Sequence, residues 1–185
     1  MLNPYPLDTL EYAAFAYRVF FFLCLPVCAW VAWSDLKTKI PNKAVLTLLV
    51  IYFFSGLMVL PLETWLWRWA SFAVVLAIGF ILNMIANVGA GDAKFAAAAA
   101  PFAAQRMDHL ILILFAAFLL GAFTAHRILR AIPAVRAMAP DWVSWKRKDF
   151  PMGLALVGTL MTYLALMAFP SMMIAIQTLL AAIRM

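Results

Sequence analysis

Long apolar runs separated by short charged breaks organise this chain. Six can be drawn, at about Ala13–Ser34, Ala44–Leu62, Trp65–Val88, Ala93–Ala104, Leu110–His126 and Met152–Phe169. A helix rises about 1.5 Å per residue and needs about 20 apolar residues to cross a hydrocarbon core of about 30 Å. Each run is therefore expected as a transmembrane helix. Only the fourth falls well short, with a rise of about 18 Å. Its Ala96–Ala100 stretch removes side-chain bulk, which suits close packing between membrane helices. Beyond Pro170 the tail Ser171–Ile183 is again apolar, and either extends the last span or lies in the interface.

Composition leads to the same class. Of 185 residues, 68% are hydrophobic and 12% charged, with a mean hydropathy of +0.98, whereas soluble domains are about 45–50% apolar. The expected fold class is all-α, a polytopic membrane protein of about six transmembrane helices. Residues 1–185 are expected to form a single membrane domain, since no segment is polar enough to fold separately in water. Asp8 and Glu11 stand where a cleavable signal would carry positive charge, and Trp30, Val31 and Trp33 replace the small residues of a cleavage site. The first helix is thus expected to stay attached.

Charge sets the orientation and decides the short span. With six crossings, the segments Asp35–Lys43, Asn87–Lys94 and Arg127–Asp149 share one side, which holds Lys37, Lys39, Lys43, Lys94, Arg127, Arg130, Arg136, Lys146, Arg147 and Lys148. Arg18, Arg68, Arg106 and Arg184 remain for the other. The positive-inside rule makes the lysine-rich side cytoplasmic and the N-terminus external. A fourth segment that failed to cross would carry the basic residues after His126 outside, against that rule. It is therefore expected to cross, with local thinning or shielding by neighbouring helices. The net charge of +6 is mostly this orientation signal. Trp142, Trp145 and Pro140, set among the basic residues of Arg127–Asp149, suggest a segment lying on anionic headgroups, so membrane lipids and not nucleic acid are the expected contact. Cys24 and Cys28, four apart in the first run, read as small buried apolar side chains, with no further Cys or His nearby to complete a metal site.

The candidate chemistry lies in two aspartates. Asp35 in WSDLKTKIPNK and Asp92 in NVGAGDAKF each stand where an apolar run meets lysines. Two consecutive crossings separate them, which returns the chain to the side it left. Ionisable groups at membrane depth are costly enough to imply function, and two neighbouring carboxylates form a dyad that shares a proton. Gly89 and Gly91 precede Asp92 and permit close backbone approach. Pro41 after Asp35 supplies a rigid start for the next helix, and Asn42 a polar side chain near the surface. Lys37 and Lys94 each follow an aspartate by two positions, where they hold the interface or steer an acidic group of a substrate. The sequence contains neither HExxH nor GxSxG, and His109 and His126 read as interfacial polar residues.

Taken in order, these pieces resemble the type IV prepilin peptidases, membrane aspartic proteases with a GxGD motif. The matching residues are Asp35 with Lys37, Ile40, Pro41 and Asn42, then Gly89, Gly91, Asp92 and Lys94, then Phe150-Pro151-Met152-Gly153-Leu154-Ala155 leading into the last span. The resemblance covers nearly the whole chain. It implies Asp35 and Asp92 as catalytic residues, with Lys37, Asn42, Gly89, Gly91 and Lys94 supporting the site or the substrate. It also implies an endopeptidase that needs no cofactor or metal and removes the leader of a prepilin precursor at the cytoplasmic face of the bacterial inner membrane. Larger members carry a cysteine-bearing cytoplasmic domain and methylate the new pilin terminus. This chain leaves no room for that domain, so methyltransferase activity is not expected and the resemblance narrows to the short form of tight-adherence (Tad/Flp) pilus systems. Presenilin-type proteases share only the second motif. Two other classes stay open on the residues alone: a proton- or ion-coupled transporter, for which acids in apolar helices are equally apt, and a non-catalytic pilus assembly component.

Overall fold

A computed structural model describes residues 7–86, 88–104, 108–146, 150–172 and 175, with the backbone alone for residues 7–12 and 108. Asn87, Arg106, Arg147, Lys148, Arg184 and most of the tail after Met172 lie outside the described residues. Those described form helices and no strand. This suits a bilayer, where a helix satisfies its backbone polar groups within one segment. The α-helices are α1 (Leu7–Lys37), α2 (Asn42–Val59), α3 (Leu62–Ala86), α4 (Ala90–Ala99), α5 (Asp108–Ala131), α6 (Pro133–Met138) and α7 (Gly153–Ala168). Stretches of four of them, Ala13–Lys37, Asn42–Val59, Leu62–Ala86 and His109–Ala131, are long and apolar enough to cross a membrane, and Gly153–Ala168 is a shorter apolar helix. The chain is an all-α polytopic membrane protein.

Prolines set several boundaries. Pro41 caps α2 in extended geometry, as its fixed φ predicts. Pro101, which has no N–H to donate, falls where α4 tightens into a 3₁₀ turn at Ala100–Phe102. Ile132, pushed out of helical geometry by Pro133, separates α5 from α6.

Several helix ends differ from the expected limits, three of them beside charged residues, because a helix follows backbone hydrogen bonding and does not stop where side chains turn polar. α1 continues past Ser34 to Lys37, which puts Asp35 in its last turn. α4 begins at Ala90, so Asp92 lies in its first turn. α5 continues past His126 to Ala131, so Arg127 and Arg130 are helical and not part of a loop.

α1 forms the centre, packed along α7 and α2; α4 lies against α3, α2 and α7. α3 packs mainly on α4, α5 on α7, and both present almost their whole surface outwards. Phe20, Tyr52 and Phe102 meet edge to face in the core, at centroid distances of 5.2 Å for Phe20–Phe102 and 5.3 Å for Tyr52–Phe102. Cys24 and Cys28 are buried in the same core, in keeping with small apolar side chains. The alanine-rich α4 lets its neighbour approach closely: a Cβ on Gly79 of α3 would lie 2.8 Å from that of Ala93.

The bundle has two polar ends. At one, the buried Arg68 donates through Nη2 to the Tyr17 hydroxyl (3.1 Å) and through Nη1 to the Pro101 carbonyl (3.4 Å). The Ala104 N–H donates to the Tyr163 hydroxyl there (2.8 Å), and Arg18 Nε to the Ala168 carbonyl (3.0 Å). Asp35 and Asp92 lie at the other end. α4 and its 3₁₀ turn thus run from the aspartate end to the arginine end, short as they are.

Candidate active site

Asp35 is held by a contact with the far end of the chain. It is 5% exposed, and its Oδ2 accepts a hydrogen bond of 2.8 Å from the Gly153 N–H. Gly153 is the first residue of α7. Its N–H is one of the donors that a helix start leaves without an intrahelical partner, so the positive end of α7 points at the carboxylate. The approach requires glycine: a Cβ there would lie 2.7 Å from Asp35 Oδ2 and 2.9 Å from its Cγ.

Asp92 is half-buried in the first turn of α4, where the helix's own dipole favours negative charge. Here too a glycine touches the carboxylate, since a Cβ on Gly89 would overlap Asp92 Oδ2. Gly89 has φ −57° and ψ 129°, open to any residue, so it is the close approach and not the backbone geometry that needs glycine. Behind it, the Asn83 side-chain amide donates to the Val88 carbonyl and ties the turn to the end of α3.

Both aspartates line one cavity of about 530 Å³. Ala86, Val88 and Gly89 form the wall beside Asp92. Leu119, Leu120 and Phe123 of α5 with Phe150 and Met152 before α7 form an apolar wall facing the two acids. Two carboxylates at one cavity and an apolar surface beside them can bind an extended apolar segment and act on it with acid and base.

The sequence profile of the type IV leader peptidase family matches residues 20–126, more than half of the chain and inclusive of both aspartates. The chain belongs to the type IV leader peptidase family. Comparison with curated proteins and with solved structures returned no match. Membership of this family supports peptidase activity and prepilin-type substrates, and the apolar helices are consistent with a membrane peptidase.

In this family member the other expected site residues take different places. Gly89 lies at the cavity, whereas Lys37, Asn42 and Lys94 are exposed and do not line it. Gly91 is also outside; a Cβ there would make ordinary contact with Ile40 at 3.5 Å. Asp35, Asp92 and Gly89 are brought together, and the lysines remain at the periphery.

Gly153 and the apolar wall were not among the expected site residues. The Pro151–Gly153 step carried a signal of position, but nothing local indicated that its N–H would meet Asp35, 118 positions away. One tryptophan of the basic loop, Trp145, is a correction. Trp145 is buried and stacks on His126 (5.2 Å between centroids), and Trp142 meets Trp33 edge to face (5.5 Å). Trp145 does not lie out on headgroups, because His126 of α5 and Trp142 cover it, whereas Trp142 is half-buried. His126 is likewise buried, covered by Trp145; His109 is exposed.

Proposed function

We propose that this chain is a membrane-embedded aspartic endopeptidase that removes the short leader of type IV prepilins at the cytoplasmic boundary of the bacterial inner membrane. Asp35 and Asp92 are its catalytic pair. The observation that carries the reading is the shared cavity: two acidic side chains from helices far apart in sequence face one space, each at the amino end of a helix.

The chemistry follows from the pair. Two carboxylates sharing a site hold one proton between them. The protonated one polarises the scissile carbonyl, and the ionised one takes a proton from the attacking water. Because the pair titrates as a unit, the roles belong to the dyad. The apolar wall of Leu119, Leu120, Phe123, Phe150 and Met152 accepts the apolar residues beside the cleavage point, while Gly89 leaves backbone room near Asp92. The basic loop and the lysines around Asp35 and Asp92 support a cytoplasmic location for this end by the positive-inside rule, and the reading carries with it six crossings and a single peptidase domain over residues 1–185. Within the family, the resemblance to the short Tad/Flp form makes Flp-like precursors the first substrates to try.

Co-expression with candidate prepilin precursors tests this reading. The wild-type chain should yield a shortened product. Asp35→Asn and Asp92→Asn should each lower processing by about a hundredfold to ten-thousandfold, the range typical of general acid–base groups, with unchanged membrane insertion. Near-normal cleavage by either variant would sink the dyad.

A further inference from the structure

The wall that holds Asp35 is itself supported by a chain of aromatic rings that the dyad chemistry does not use. It begins at Trp33 of α1, two residues before Asp35. Trp33 meets Trp142 edge to face, and Trp142 stacks on Trp145 (5.3 Å, 23° between planes). Trp145 stacks on His126 of α5 (5.2 Å, 16°), and His126 meets Phe150 edge on (6.0 Å, 75°). Phe150 also packs on Phe123 (5.7 Å), one helical turn before His126, and both phenylalanines line the cavity. Three residues after Phe150, the Gly153 N–H donates to Asp35. The contacts therefore form a closed ring that leaves α1 beside Asp35 and returns to it through Gly153.

His126 is the link in this ring between the loop tryptophans and the cavity wall. It is 6% exposed, and its Nε2 has no hydrogen-bond partner. Nε2 makes no contact that would explain the residue, whereas the ring packs on two aromatic neighbours. Trp145 covers one face, and Phe150 meets the ring at a steep angle. The Trp145 indole N–H donates to the Ala139 carbonyl (2.9 Å), which fixes the tilt of the stack. Displaced by even about 1 Å, a catalytic group can lose about a hundredfold in rate, so what sets Phe150–Gly153 also sets the carboxylate.

We infer that His126 is a positioning residue: its aromatic surface, backed by Trp145, holds the Phe150–Gly153 segment so that the Gly153 N–H keeps its bond to Asp35. The ring face acts, and Nε2 does not. The consequence for cleavage rests on the dyad reading given above; the effect on the Gly153 N–H does not.

Residue-resolved amide hydrogen exchange on the full chain in lipid nanodiscs tests the geometry without a substrate. In His126→Ala the Gly153 amide should exchange at least about tenfold faster, while Leu160 and Tyr163 further along α7 stay within about twofold of wild type, since only the local tether is lost. His126→Phe, which keeps an aromatic face, should restore the slow rate; His126→Gln, which keeps polarity alone, should not. Trp145→Ala combined with His126→Ala should add little to either single change, because the two act through one chain of contacts. With a precursor that the wild type cleaves, His126→Ala should lower kcat about tenfold and leave KM within about threefold, whereas Phe150→Ala, which removes cavity wall, should raise KM as well. Unchanged Gly153 exchange in His126→Ala, a uniform rise along α7, rescue by Gln equal to that by Phe, or a normal kcat in a protein whose Asp35→Asn and Asp92→Asn variants are inactive would each overturn the inference. Full cleavage by Asp35→Asn or Asp92→Asn with the exchange pattern intact would instead overturn the dyad reading and leave the role of His126 at Gly153 standing.

Discussion

Asp35 and Asp92 carry the same side chain into the same cavity, yet the protein holds them by opposite means. Asp35 is buried in the last turn of a long helix, the end where the dipole disfavours a negative charge, and a second helix supplies the missing donor through Gly153. Asp92 is half-buried in the first turn of its own short helix and has the favourable dipole end built in. The donor at Asp35 comes from a distant helix, whereas the dipole at Asp92 belongs to its own helix. The contrast teaches that the two halves of one acidic pair, proposed here as catalytic, can be positioned by different parts of the fold.

The glycines at the two carboxylates test this most sharply. In Gly153→Ala the new methyl would meet Oδ2, Cγ and Cβ of Asp35, so the whole buried side chain must move and the hydrogen bond is lost. Processing should fall by about a hundredfold or more, and thermal unfolding in nanodiscs should show a loss of about 1–3 kcal/mol, typical of overpacking. Gly89→Ala meets only the tip of Asp92, which can rotate away. It should cost about tenfold in processing, the scale of a modest misplacement of a catalytic group, with stability within about 0.5 kcal/mol of wild type. Equal destabilisation by the two would erase the contrast.

Removing the carboxylates separates the supports from the chemistry. Asp35→Ala leaves the Gly153 N–H buried without its acceptor and should destabilise by about 1–3 kcal/mol. Asp92→Ala removes a favourable first-turn charge and should cost about 0.3–1 kcal/mol. The unfolding midpoints of the two proteins, measured side by side, decide the order. A larger loss at Asp92 would mean that α4 depends on its acid for more than the dipole.

The smallest effect is expected at Gly91, despite its place in the same four-residue turn. A methyl group there makes ordinary contact with Ile40, and alanine suits a helix better by about 0.5–1 kcal/mol. Gly91→Ala should therefore process precursor at close to the wild-type rate with equal or slightly higher stability. A loss matching that of Gly89→Ala would show that the substrate backbone passes over Gly91.

These differences mark how far the chain could be read in advance. Burial of apolar side chains is favourable for each run independently of its neighbours, so the helical membrane class and the approximate helix limits could be read directly from residues such as those of Ala44–Leu62 and Trp65–Val88. The two aspartates stood out for the same reason: charge next to lipid is costly wherever the rest of the chain goes. Limits that depend on hydrogen bonding were harder to place, and α5 ran on to Ala131 until Pro133 stopped it.

By itself the sequence determined that this is a helical membrane protein, and its motifs already carried the resemblance to leader peptidases. Tertiary structure alone decided that Gly153 meets Asp35 from 118 positions away, that Gly89 and not Gly91 touches Asp92, and that Trp145 folds inward over His126. Composition and periodicity register the free energy of moving each segment out of water. Contacts between distant residues depend on which surfaces the packed helices bring together, and no local pattern encodes that choice.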